Sequence, residues 1–177
     1  VLEDVRLSDE QRLGEINRGF FDTLQILDKG RIGIGAWAVG IGRAAFEASC
    51  KYAKERVQFG KPIADFQAIQ HMLADMATEL DAARLLVWRG AWMQDHNLRT
   101  TRESSVAKYY AARATMRACN NAIQIHGGYG YTREFEVERY LRDAKLAEIG
   151  EGTNEVQKMV IARELLKGWS DGSDAAV

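Results

Sequence analysis

Four short runs hold the residues best suited to chemistry. Glu151 stands between two glycines in Gly150-Glu151-Gly152-Thr153, just ahead of a helical pattern. An acid at a helix N-terminus is mildly stabilising and common. Flanking glycines let another molecule's backbone or a planar ring come close. A carboxylate taken out of water there would suit a general base. The residues alone leave both readings open. In residues 54–63, Arg56 is followed by Phe59-Gly60. That is a solvated helix end or, with Arg as a bidentate fork, a phosphate clamp; taken alone, the helix end is the better reading. His126-Gly127-Gly128-Tyr129-Gly130-Tyr131 reads by default as a helix C-cap and turn. Its glycines would also let backbone N–H groups approach an anion, and the loop by itself does not decide. Arg31 is the fourth: it falls on an apolar helical stripe, where a charge must be paired or must face a ligand.

A fifth run is a decoy. Gly33-x-Gly35-x-x-Ala38 loosely matches a dinucleotide fingerprint. That fingerprint needs a preceding strand and a βαβ unit, whereas helical periodicity runs straight through here. The spacing of Gly33 with Gly40, and of Gly35 with Gly42, instead opens close-packing faces on a helix.

The 177 residues suffice for one domain with a hydrophobic core. Hydrophobic residues are 46% and charged residues 28%, the balance of a soluble globular protein. A net charge of −1 gives no basic surplus for nucleic acid or an anionic membrane. Cys50 and Cys119 do not make a disulfide scaffold and fit a reducing compartment: cytoplasm, or the mitochondrial matrix in a eukaryote. The three histidines show no metal-ligand spacing, so no metal is expected. No apolar run is long enough for a membrane span.

The elements that must position these residues are helical. Residues 1–14 alone look strand-like, a strand and loop cut from something larger. From Asn17 to about Val57 a stripe of Phe20, Leu24, Leu27, Arg31, Ile34, Ala38, Ile41 and Ala45 predicts one long helix. Gly60 and Pro62 mark a connection, with Asp65 as a candidate cap for the next helix. That helix carries Phe66, Ile69, Leu73, Met76, Leu80, Ala83 and Val87. A third spans residues 102–125 on a small face of Ala107, Ala111, Ala114, Ala118 and Ala122. A short helix is expected over 134–141. A last one is expected over 154–167, with Val156, Met159, Val160 and Arg163 as its stripe and Asn154 with Gln157 as a capping pair. With a single proline in the chain, the expectation is all-α: an up-down four-helix bundle over residues 15–168 with a short strand remnant at the N-terminus and a frayed tail over 169–177.

Taken in order, RLGEINRGF (12–20), LDKGRIGIGAWAVGIGRAAFEASCKYAKERVQFGKPIADFQAIQ (27–70), AIQIHGGYGYTREFEVERYLRDAK (122–145) and EIGEGTNEVQKMVIARELL (148–166) resemble the C-terminal domain of the acyl-CoA dehydrogenase family. Each motif is weak alone; their order is specific. The resemblance implies FAD as cofactor and an acyl-CoA thioester as substrate. Glu151 matches the base that takes the α-proton while the β-hydrogen leaves as hydride to flavin N5. The Glu151 backbone N–H and a flavin ribityl hydroxyl would polarise the thioester oxygen. Gly152 would lie beside the acyl-CoA, and Asp28 and Arg31 near its pocket. Thr153 and Glu155 match FAD contacts, although many relatives carry Gln at the latter. Arg56, Phe59, Gln67, Gln124 and Gly128 match contacts to a neighbouring subunit's FAD, implying a homodimer or homotetramer. An electron-transfer flavoprotein would take the electrons. Some members place the base near the position of Gly30, which cannot serve here. Gly150 replaces the Tyr of many straight-chain members, leaving chain length open. The fragment alone is expected to be inactive. Two other readings stand beside this one: a flavin acyl-CoA oxidase or non-acyl-CoA relative on the same fold, and a non-catalytic helical interaction module.

Overall fold

The computed structural model describes residues 1–170, with side chains to 167. Five helices follow one another: α1 Gly19–Glu55, α2 Gln67–Asp95, α3 Thr101–His126, α4 Val137–Ile149 and α5 Asn154–Ser170. Between α1 and α2 lies a minimal antiparallel hairpin of β1 Val57–Gln58 and β2 Lys61–Pro62. Its two turn residues, Phe59 and Gly60, both have positive φ (53° and 82°), the requirement of a tight hairpin turn.

α1 and α3 form the spine because their facing residues are small. On α1 the buried seam is Arg31, Gly35, Ala38, Gly42, Ala45, Ser49 and Ala53. On α3 the predicted stripe from Ala107 to Ala122 is buried throughout. A β-carbon at Gly42 would meet the Leu80 side chain and lie 2.9 Å from Thr115 Oγ1; one at Gly35 would lie 3.0 Å from Val87 Cγ2. These two glycines therefore permit the close approach. Gly33 and Gly40 face open space and do not. α2 closes the core with Met76, Leu80, Ala83 and Val87, as its periodicity requires.

Several details differ from the sequence reading. Residues 1–14 carry no strand; a single 3-10 turn, Asp9–Gln11, forms there. Phe20 and Leu24 are exposed because the first turns of α1 run ahead of the bundle. Asp65 caps nothing: it ends a 3-10 turn, and Phe66 precedes α2 without a side-chain cap. α4 starts later and runs longer than expected, burying Val137, Ala144 and Ala147. On α5, Val156 and Met159 are exposed, and the inward face begins with buried Asn154 and Gln157 and continues with half-buried Val160, Ile161 and Leu165. Residues 169 and 170 continue α5, and 171–177 of the expected tail lie outside the described residues.

Candidate functional site

The turn between α4 and α5 is built around two consecutive left-handed residues, Glu151 (φ 51°) and Gly152 (φ 91°). Glycine adopts this region freely. For a glutamate it costs on the order of 1 kcal/mol and persists only when its surroundings enforce it. Two buried side chains do so. Lys108 Nζ donates to the Gly152 carbonyl at 2.8 Å. Gln157 Nε2 donates to the same carbonyl at 2.9 Å and to that of Glu151 at 3.2 Å. The expected capping pair thus acts elsewhere. Gln157 holds the turn, Asn154 bridges Lys108 and Glu148 at 3.4 Å each, and Thr153 Oγ1 accepts the Val156 N–H that a cap would take.

This backbone aims the Glu151 carboxylate at α1. A β-carbon added at Gly30 would find all three nearest atoms in that carboxyl group, with Oε1 at 2.8 Å and Cδ at 2.9 Å. Glu151 Oε2 is buried and has no hydrogen-bond partner. A buried, unsatisfied carboxylate oxygen is costly. Next to Gly30 on α1, buried Arg31 donates to Asp28 Oδ1 at 2.6 Å and to Ser105 Oγ at 3.3 Å, while Thr101 donates to Asp28 Oδ2 at 3.0 Å. Of the two expectations for a charge on the apolar seam, pairing or facing a ligand, pairing is present, with Arg31 Nε left unpartnered. Burial pulls the Lys108 ammonium down to about 8; Glu148 opposes this, Arg31 adds to it, and Glu155 and Glu151 oppose it less. Glu155 is exposed. Its own backbone N–H and then the Thr153 hydroxyl hold its carboxyl below the usual range.

A second group forms at the far end of α1. Arg56, Gly127, Gly128, Tyr129, Tyr52 and His126 line a shallow cavity of about 550 Å³. The Arg56 guanidinium lies 5.4 Å from the centroid of the Tyr129 ring, and it has no carboxylate partner among the described residues. Nothing stands within 4 Å of a β-carbon position at Gly127 or Gly128. The His126 ring stacks on Tyr52 at 4.2 Å, and burial lowers its pKa. Phe59 is exposed on the hairpin tip, 6.1 Å edge-on from Phe66, and Gln67 and Gln124 are exposed nearby in sequence to these elements.

The structure thus divides the sequence-predicted residues. It brings Asp28, Arg31, Glu151 and Gly152 together around Gly30, with Thr153 and Glu155 on the following turn. Arg56 and Gly128 share a different cavity. Arg31 and Arg56 are separated by about two-thirds of α1; at 1.5 Å rise per residue that is about 37 Å. Lys108 and the clamp role of Gln157 went unpredicted. The signal for Lys108 was present, since it lies at core spacing on α3 just as Arg31 does on α1. Among the described residues no cluster of His, Cys, Asp or Glu could hold a metal, and no helix is long and apolar enough to cross a membrane.

Comparison with known proteins places this geometry in context. The family model described as acyl-CoA dehydrogenase, C-terminal domain, matches residues 17–166. The chain is 59% identical to the probable acyl-CoA dehydrogenase YngJ of Bacillus subtilis and 50% identical to a caffeyl-CoA reductase–Etf complex subunit of Acetobacterium woodii; each match covers 94% of this chain and 44% of the relative. The solved butyryl-CoA dehydrogenase of Megasphaera elsdenii superposes with a TM-score of 0.92 at 46% identity, over 94% of this chain and 43% of that one. The chain therefore spans less than half the length of the relatives it matches.

Proposed function

Because this chain belongs to the acyl-CoA dehydrogenase family, as its C-terminal domain, we propose that Glu151 is the base of an α,β-dehydrogenation of an acyl-CoA thioester to a trans-2-enoyl-CoA. One observation carries the reading: a buried carboxylate oxygen without a partner, held against a glycine by an enforced left-handed turn. An oxygen left unsatisfied in this way has an open lone pair for an acidic C–H. Gly30 leaves room for the carboxylate, and Gly152 leaves room for the Gln157 amide that holds the turn. Asp28 and Ser105 fix Arg31, the residue that follows Gly30 on α1.

The family is one of FAD-dependent flavoproteins. The residues present fit that cofactor, since Arg56 lacks an anionic partner and faces open glycines in one cavity. Arg56, Phe59, Gln67, Gln124 and Gly128 would hold its phosphate-bearing end, and Thr153 and Glu155 its other end. When bound, FAD supplies the acceptor for the β-hydrogen. The two groups lie about 37 Å apart along one helix. Contacts from different copies of the chain to each FAD resolve this separation, so the assembly is a homodimer or a homotetramer built from dimers. The reduced enzyme would pass electrons to an electron-transfer flavoprotein. The match to a caffeyl-CoA reductase–Etf complex subunit favours a second reading, in which the same site runs in reverse and Glu151 delivers the α-proton to an enoyl-CoA.

The test mixes the FAD-loaded full-length flavoprotein anaerobically with a panel of acyl-CoAs, as wild type and as Glu151→Gln. Bleaching of the flavin in wild type alone is the expected result. Equal bleaching in both would place the base elsewhere, and an absence of bleaching with every thioester in the panel would remove acyl-CoA as substrate. Reoxidation of the chemically reduced enzyme by enoyl-CoAs reads the reverse direction.

A further inference from the structure

Lys108 heads the fully buried side chains by size among the described residues, yet it forms no ion pair there. Buried lysines are rare and are normally matched by a carboxylate. Here the ammonium is directed instead at a neutral backbone oxygen, the carbonyl of Gly152, at 2.8 Å, with Asn154 Oδ1 as a longer second acceptor at 3.4 Å. That carbonyl closes the turn whose first residue is Glu151. With Glu151 and Gly152 both at positive φ, the carbonyls of both residues point inward, where Lys108 on α3 and Gln157 on α5 hold them. Glu151 Oε2, by contrast, has no hydrogen bond of its own. The direction of the carboxylate is therefore set by its backbone, and the backbone by these donors. Returning Glu151 to the ordinary negative-φ region would rotate its carbonyl away from Gln157 and swing the side chain off Gly30.

We propose that Lys108 is a positioning residue for the proton-transfer step: its hydrogen bond to the Gly152 carbonyl locks the left-handed turn that aims the Glu151 carboxylate at the substrate. This rests on the reading of Glu151 as base. Lys108 touches neither substrate nor flavin in this role and exchanges no proton with them. Its effect passes through the peptide between Gly152 and Thr153.

The experiment uses the FAD-loaded full-length flavoprotein and Lys108→Met, which keeps the apolar stem and removes the donor. Flavin reduction is followed anaerobically with acyl-CoA and with acyl-CoA deuterated at the α-carbon. The expected result is a fall in the limiting rate of about 10- to 100-fold, the scale of a misaligned reacting group. KM for the acyl-CoA and FAD content should hold near wild type, and the α-deuterium isotope effect should rise. A purely structural lysine would lower FAD content or stability without moving the isotope effect. Should Lys108→Met yield no holoenzyme, Lys108→Gln is read in the same way, since it keeps a polar group but is too short to hold the carbonyl. Failure of both to yield holoenzyme overturns the proposal in favour of a structural role, as does a wild-type limiting rate and isotope effect in either. Glu151→Gln is run alongside. If it reduces flavin at the wild-type rate, the reading of the base fails, whatever Lys108 does; if it is inactive while Lys108→Met is fully active, only the positioning role fails.

Discussion

Gly30→Ala separates activity from stability in a way the geometry makes quantitative. The new β-carbon would lie 2.8 Å from Glu151 Oε1 and 2.9 Å from Cδ, with Oε2 nearer still. A relaxed contact is about 3.5 Å, so the carboxylate must retreat by roughly 0.5–1 Å. In stability this is cheap. The carboxylate is the end of a flexible side chain, and forcing it off its rotamer costs about 0.5–1.5 kcal/mol. Replacing glycine by alanine inside a helix returns about 0.5–1 kcal/mol. The two nearly cancel, and the melting temperature should move by only a few degrees. In rate the shift is expensive, because a misplacement of about 1 Å in a reacting group costs on the order of 100-fold, or about 2.7 kcal/mol of barrier. The assay is stopped-flow flavin reduction at saturating acyl-CoA, paired with thermal unfolding of the same FAD-loaded preparation. A Gly30→Ala enzyme within about threefold of the wild-type rate would refute the aim assigned to Glu151. So would a large loss of stability, because the clash would then not be confined to a movable carboxylate.

Other perturbations have signs fixed by the same structure. Folded Lys108 titrates near 8 against 10.5 when unfolded. Between those values the unfolded chain binds more protons, so the unfavourable burial of the ammonium is relieved as pH rises. The stability of wild type relative to Lys108→Met should climb by about 1–3 kcal/mol from pH 8 to pH 10.5 in denaturant titrations; a flat difference would contradict the burial. Gly42→Ala should destabilise by about 1–3 kcal/mol through overpacking against Leu80 and Thr115, whereas Gly40→Ala, facing open space, should stabilise by about 0.5–1 kcal/mol. Equal melting shifts for the two would contradict the seam. Arg56→Met should weaken FAD retention by about 10- to 100-fold in equilibrium ultrafiltration, the worth of a charge-assisted hydrogen bond. Its rate of flavin reduction at saturating FAD should stay near wild type, because Arg56 lies far along α1 from Glu151; a matched loss of rate would place it at the reacting centre.

The fold was legible wherever burial follows one helix face through neighbouring elements. The alanine stripe of α3 and the apolar stripe of α2 sit where their spacing put them, because each faces a single partner groove. α1 was legible only in part. It is longer than the bundle it serves, so Phe20 and Leu24 keep the helical rhythm but have no partner to bury them. Gly33 with Gly40 and Gly35 with Gly42 share one spacing, yet only the second pair touches neighbours. Periodicity gives the interval but not the phase, and phase depends on where α2 and α3 lie. The strand expected in residues 1–14 fails for a related reason: β-like sequence with nothing to pair with forms no ladder.

At the site, Glu151 and Arg31 stood out because each breaks a local rule: one is a charge between glycines, the other a charge on an apolar seam. Lys108 breaks the same rule as Arg31, as a buried charge among the alanines of α3. The capping pattern at Asn154 and Gln157 misled because a sequence shows that two polar side chains lie near a helix start, but not whether they serve that helix or the turn before it. In the structure the turn needs them more. Its first two residues lie outside α4 and α5, and their carbonyls take donors from Lys108 on α3 and Gln157 on α5. A base whose direction comes from its backbone, and whose backbone is clamped by buried side chains, can leave its own oxygen unsatisfied. On the proposed reading of Glu151 as base, that combination ties the strain at Glu151, the buried charge at Lys108 and the absent side chain at Gly30 to a single requirement, a carboxylate held in one direction.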